Sequence, residues 1–431
     1  MFFLGGATRP ATPSSYVRRF ESRLKLCALL TGVAIGVASC VTKPVAEAPP
    51  PPPPPVAEVP PVFVPPPSLP QRSDQPGYLR LRGTPGGTVP VRVAMLLPLT
   101  NPAADTRNVA LALQRAAEMA LFDSRNANII LMPRDDGGSP DRAAAAAAAA
   151  IADGAEIILG PLFAQSVAAV RPVARRENVP VIAFSTDRAS GGNGVYLLSF
   201  QAETEVDRIV TYGTRAGHST FAALVPQSQY GQIVGEAFRQ TVARRGGTVT
   251  SVQTYQNRPE TIGDQVRQVA GTRPDAILLG DGGVMLHALG GQLAVNGATN
   301  ETVKFLGTGL WNDPGLQREP MLRGGWFAAP NPDGWNRFVT RYRAAYNAAP
   351  PRIAPLAYDA MSLVALLARG QAYNRYTAAA LTDPNGFTGI DGIFRFRADG
   401  AAERGLAVLQ VDENGFSVVD PAPRTFQGAQ Y

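Results

Sequence analysis

The stretch "VRVAMLLPLT", Val91 to Thr100, decides how the chain is read. Its apolar run reaches Leu97 and stops at Pro98, the pattern of a parallel strand buried on both faces. "TRNVALALQRAAEMALFDSR" follows, with Val109, Leu113, Ala116, Ala117, Ala120 and Leu121 at helical spacing on one face. "NIILMP" then predicts a strand, "RDDGGSPD" a turn, and "RAAAAAAAAIADG" a helix closed by Gly154. "AEIILGP", "AQSVAAVRPVARRENV" and "PVIAFST" repeat strand, helix, strand. This alternation predicts a doubly wound parallel sheet.

After a glycine-rich break, "DRASGGNG", the alternation restarts. "ETEVDRIVTYGTRAG" reads as helix, "STFAALVP" as strand and "GQIVGEAFRQTVARRG" as helix. "GTVTSVQTY", "PDAILLGD" and "VKFLGTG" read as strands, with helices "IGDQVRQVAG" and "GVMLHALGGQLAVNG" between them. A short strand and an aromatic-bearing helix follow, then the apolar helix "PLAYDAMSLVALLARG" and a hairpin-like end. The expected fold is therefore α/β, with two Rossmann-like lobes of parallel sheet around a cleft. The first lobe is expected over about 91–200 plus returning segments after about 352, and the second over about 201–351.

Upstream, Arg18, Arg19, Arg23 and Lys25 precede "LCALLTGVAIGVAS", Leu26 to Ser39. That run is too short to cross a membrane and suits the apolar region of a signal peptide, read here as residues 1–39. It ends in Val37-Ala38-Ser39-Cys40, which resembles the lipobox of bacterial lipoproteins. The resemblance implies cleavage before Cys40, lipidation of its thiol and acylation of the new amino terminus. Three chains exceed what stable membrane anchoring needs. Val41 stands where Asp would imply retention at the inner membrane, so the resemblance implies the outer membrane, on its periplasmic face.

Residues 40–90 read as the lipidated Cys and a disordered proline-rich linker. Pro49 to Pro55 are consecutive, and proline lacks the N–H that a helix or sheet interior needs. As polyproline II at ~3.1 Å per residue, Pro44 to Pro70 could span on the order of 80 Å. A proline-rich ligand for a recognition domain is the competing reading.

The net charge is +6, yet five basic residues and one acidic residue precede Cys40, so the remainder carries only +2. No basic cluster for nucleic acid remains. Both cysteines, Cys27 and Cys40, lie in the first tenth of the 431 residues, which excludes a disulfide framework or cysteine-based metal site in the folded body. Enzyme signatures are missing as well: no GxSxG, HExxH, phosphate-binding GxxxxGK[ST] or complete GxGxxG occurs. The two histidines, His218 and His287, read as surface or packed residues. Asp135 and Asp136, followed by two glycines, read as a turn rather than a metal or acid pair. Neither catalysis nor a cofactor is expected.

The residues "VAMLLPLT", "DDGGSPDRA", "ILGPLFAQS", "PVIAFST", "VPQSQYGQ" and "YDAM" together resemble type I periplasmic binding proteins, the group that includes branched-chain amino-acid receptors. With the lipobox and proline tether, the chain resembles most the penicillin-binding protein activators, outer-membrane lipoproteins that contact peptidoglycan synthases. A proline linker stands where the best-known activators carry a helical-repeat domain. The resemblance implies a non-enzymatic regulator of cell-wall synthesis, with a peptidoglycan synthase as partner. The alternative is a receptor delivering branched-chain amino acids or amides to an ABC importer. A structural envelope protein with locked lobes is a third possibility.

In open α/β sheets ligands meet loops beyond the carboxyl ends of the strands. The amino-acid receptors grip a carboxylate there with hydroxyls and N–H groups. By that resemblance Gln165, Ser166, Ser185 and Thr186 are the candidates in the first lobe, and Tyr230 and Asp281 in the second. Hydroxyls in these places also serve as ordinary helix caps. Trp311 could stack on a ligand or pack beside the cleft.

Overall fold

Strand β2 (Val91–Leu97) lies in the middle of the first lobe, and all of its side chains are buried except that of Arg92, which is partly so. A computed structural model describes residues 77–83, 89–372 and 374–427, all within one compact unit. The signal segment, Cys40 and most of the tether lie outside the described residues.

The first sheet contains β1 (Leu79–Arg80), β2, β3 (Ile129–Asp135), β4 (Ile157–Leu159), β5 (Val181–Ala183) and β6 (Val195–Leu197). Their order is β1-β3-β2-β4-β5-β6, parallel throughout except for β1. Strand β1 pairs Leu79 with Leu131, so the sheet begins inside the segment read as tether. Strand β6 follows the glycine-rich break, and its three residues are too few to announce a strand in the sequence. Helices α1 (Ala104–Ser124), α2 (Pro140–Ala152) and α3 (Ala164–Arg176) cover the two faces. Gly154, just beyond α2, takes φ +89°, the left-handed conformation expected of a glycine stop.

The second lobe comprises α4 (Ala202–Arg215), β7 (Thr220–Pro226), α5 (Gln229–Arg244), β8 (Thr248–Tyr255), α6 (Gly263–Gly271), β9 (Ala276–Leu279), α7 (Gly283–Val295), β10 (Lys304–Gly307) and β11 (Trp326–Ala329). The chain then returns through α8 (Pro332–Tyr346), α9 (Ala354–Leu367), α10 (Ala378–Leu381) and the antiparallel strands β12 (Phe387–Gly389), β13 (Gly392–Phe396) and β14 (Ala402–Arg404). It ends in β15 (Ala407–Asp412) and β16 (Gly415–Asp420), which complete the second sheet in the order β16-β15-β11-β10-β9-β7-β8.

Two expected boundaries therefore move. The return to the first lobe comes at Asn331 rather than after 352, because Phe338 and Tyr342 of α8 pack into the core formed by β2, α1 and α9. Residues 407–420 belong to the second lobe, where β15 pairs antiparallel with β11, Trp326 opposite Gln410. Both shifts depend on which core an apolar face meets, and periodicity does not carry that information.

Candidate functional site

Three segments pass between the lobes: Ser199–Gln201, Pro330–Asn331 and Gly405–Leu406. Beside them lies a cavity of about 460 Å³ lined from both lobes, a size suited to a small organic molecule. The first lobe contributes Thr186 from the loop after β5 and Arg352 ahead of α9. The second contributes Glu203 and Glu205 from the start of α4, Tyr230 and Ile233 from α5, and Gly309 and Leu310 after β10. Phe200, on the first crossing, forms part of the wall. These are the loop positions beyond strand ends where open α/β sheets present ligand sites.

Glu205 is set by its helix. Val206, Ile209 and Val210 turn the inner face of α4 into the second core, and Glu205, four residues before Ile209, shares that face. Its Oε2 accepts a 2.9 Å hydrogen bond from the Gly309 N–H. Burial pushes the carboxyl up to about 7, against the opposing pull of that N–H and of Arg352. A carboxylate in the first turn of a helix gains from the positive end of the dipole.

Arg352 forms a two-pronged ion pair with Asp391, at 2.9 and 2.8 Å. Its guanidinium lies 5.0 Å from the Phe200 ring centroid and 4.9 Å from that of Trp335. Asp391 is fully buried. Arg404, also buried, donates from Nε to the Ser199 carbonyl at 3.2 Å, and its guanidinium lies 4.9 Å from the centroid of the same Phe200 ring. Asp359 accepts from the Ile390 N–H at 2.7 Å, and burial pushes it up to about 7. A buried, charged cluster thus underlies the crossings.

Of the residues expected to grip a ligand, Thr186 and Tyr230 line the cavity. The Tyr230 hydroxyl shares a 2.8 Å hydrogen bond with that of Thr308, and burial raises its pKa. Ser185 is buried just behind Thr186, where its Oγ accepts from the Asp187 N–H at 3.1 Å. Gln165 is exposed and reaches the Gly138 carbonyl at 3.4 Å, while Ser166 is buried and its Oγ has no hydrogen-bond partner among the described residues. Asp281 accepts a 2.7 Å hydrogen bond from the Tyr255 hydroxyl and does not line the cavity. Trp311 is fully buried in the core on the face of the second-lobe sheet opposite α4, its indole N–H donating to the Leu279 carbonyl at 3.2 Å. Of its two expected fates, it takes packing rather than stacking on a ligand. Asp135 and Asp136 sit in the expected turn, with Gly137 and Gly138 at φ +58° and +76°.

Glu205, Arg352 and Phe200 are absent from the expected set. Glu205 had a legible signal, an acid on the apolar face of a helix. Arg352 had none, since only the fold brings "PPRIAPL" to the cavity.

Comparison with known proteins fits this geometry. The sequence profile described as Periplasmic binding protein matches residues 90–416. The chain belongs to that family. Its fold resembles a Rhodospirillum rubrum protein assigned provisionally to branched-chain amino acid ABC transport, with TM-score 0.70, 19% identity, and coverage of 77% of this chain and 100% of that one. It also resembles the branched-chain amino acid binding protein LivJ of Streptococcus pneumoniae, solved with isoleucine, with TM-score 0.54, 18% identity and coverage of 77% and 100%. A solute-binding protein of R. palustris, solved with benzoate, gives TM-score 0.55, 17% identity and coverage of 78% and 97%. An uncharacterised protein of Rickettsia prowazekii (strain Madrid E) is 24% identical over 181 residues, 42% of this chain and 47% of that protein. The chain thus spans about half the length of this curated relative. The match to the family profile and the type I fold agree with the reading of the sequence from Val91 onward.

Proposed function

We propose that this periplasmic binding protein takes a small organic solute between its lobes and acts as a solute receptor. The observation that carries the reading is the cavity of about 460 Å³ walled by both lobes at the three crossings. A ligand held there touches Thr186 on one lobe and Tyr230 on the other, so it favours the closed arrangement of a hinge. The reading is non-enzymatic, and its ligand needs no cofactor. Thermal unfolding and calorimetry of the protein with amino acids, amides and aromatic acids test it. A ligand that stabilises the fold by mass action supports the reading, and silence across all three classes overturns it.

A second reading keeps the chain as a lipid-anchored regulator of a peptidoglycan synthase. It is favoured by Val37–Cys40 with the proline run, and by Asp281 and Trp311 being engaged inside the second lobe rather than gripping a ligand. A long tether raises the local concentration of the body near a periplasmic partner. Capture of a periplasmic penicillin-binding protein by the purified chain, with stimulation of its glycan polymerisation, supports this reading. Failure of both readouts rejects it.

A further inference from the structure

The cavity between the lobes holds an uneven set of charges. Among the described residues its one cationic side chain, Arg352, is already paired with Asp391 and lies near two aromatic rings. Asp187 is also engaged, accepting from the Ala189 N–H and the Ser190 hydroxyl, each at 3.1 Å. Glu205 is different. The residue is 7% exposed, and only its Oε2 is hydrogen-bonded, to Gly309. Its Oε1 has no hydrogen-bond partner among the described residues, and a Cβ at Gly309 would come within 2.5 Å of it. Oε1 is not sealed in the interior, so a donor that enters the cavity can reach it and complete the hydrogen bonding of the carboxyl group.

We propose that the cavity selects an organic cation, a compact amine with an apolar or aromatic body, whose ammonium donates to Glu205. The inference rests on the solute-binding reading and names the ligand class. Three further observations support it. Tyr230 lines the same cavity as Glu205, so an aromatic ring that is not already paired with an arginine stands near the carboxylate. Ile233 and Leu310 supply apolar wall for the rest of the ligand. A carboxylate ligand, by contrast, would approach Glu203 and Glu205 with no unpaired cation among the described lining residues to hold it.

The test uses the full chain purified in detergent and calorimetry with matched pairs, phenethylamine against 3-phenylpropionate and isoleucinamide against isoleucine. Glu205→Gln keeps an acceptor for Gly309 and removes the charge, while Ile233→Trp fills the cavity. The expected result is binding of the amine of each pair, weakened about 10- to 100-fold by Glu205→Gln and abolished by Ile233→Trp, with circular dichroism unchanged in both variants. Tighter binding of the acid or the zwitterion, indifferent to Glu205→Gln but lost in Ile233→Trp, overturns the inference and leaves the solute-binding reading standing. Binding indifferent to Ile233→Trp, or none by any probe, overturns both. The matched pairs on the unaltered protein decide the charge preference even if a variant does not fold.

Discussion

Arg352 and Asp391, 39 residues apart, face each other through two hydrogen bonds of 2.9 and 2.8 Å, with the carboxylate fully buried. The pair joins the segment ahead of α9 to the turn between β12 and β13, beneath the crossings between the lobes. Its value lies in what it does for the acid: the buried carboxylate is tolerable only because the partly exposed guanidinium is there.

Arg352→Met should therefore cost on the order of 3–5 kcal/mol, since it strands a buried charge. Adding Asp391→Asn should return at least half of that loss. Urea unfolding of the single and double variants measures both, and a double variant no better than the single one contradicts the account.

Gly307 lies directly under Trp311, where an added Cβ would fall 2.1 Å from the indole ring. Gly307→Ala should cost about 1–3 kcal/mol by overpacking. It should also shift tryptophan fluorescence as the indole leaves the Leu279 carbonyl. A ligand-stacking Trp311 would instead respond to solute, so fluorescence titration of the unaltered protein should show little quenching attributable to this residue.

Three buried acids set the pH dependence of stability. Burial raises Asp136 to about 6 and Glu205 and Asp359 to about 7. Between about pH 4 and 7 the folded protein keeps protons that the unfolded chain has released, so stability falls as pH rises through that window. Asp275 works in the opposite direction: hydrogen bonds from Ser219 and Thr220 hold it at about 2, so its contribution disappears only below about pH 4. Thermal unfolding should peak near pH 4–5, and Glu205→Gln should flatten part of the decline above it. A midpoint that rises steadily from pH 5 to 7 would count against these burial shifts.

Cys40 lies outside the described residues, and its role is read from the sequence. Cys40→Ser should move the protein from the membrane pellet to the soluble fraction and remove the lipid mass from the mature chain. Retention in the pellet would exclude lipid anchoring at this residue.

The sequence alone carried the alternation of strands and helices, since apolar runs such as Val91–Leu97 and the inner face of α1 are local patterns set by burial period. It also carried the turn at Asp135–Gly138 and the stop at Gly154, where local backbone chemistry decides the conformation. It pointed to Thr186 and Tyr230, because loops after parallel strands converge in any doubly wound lobe. Only the tertiary structure sent Trp311 and Asp281 into second-lobe contacts with Leu279 and Tyr255. It likewise returned α8 to the first lobe and 407–420 to the second. Glu205 and Arg352 meet at one cavity only because three crossings bring distant segments together, and no local period encodes which segments those are.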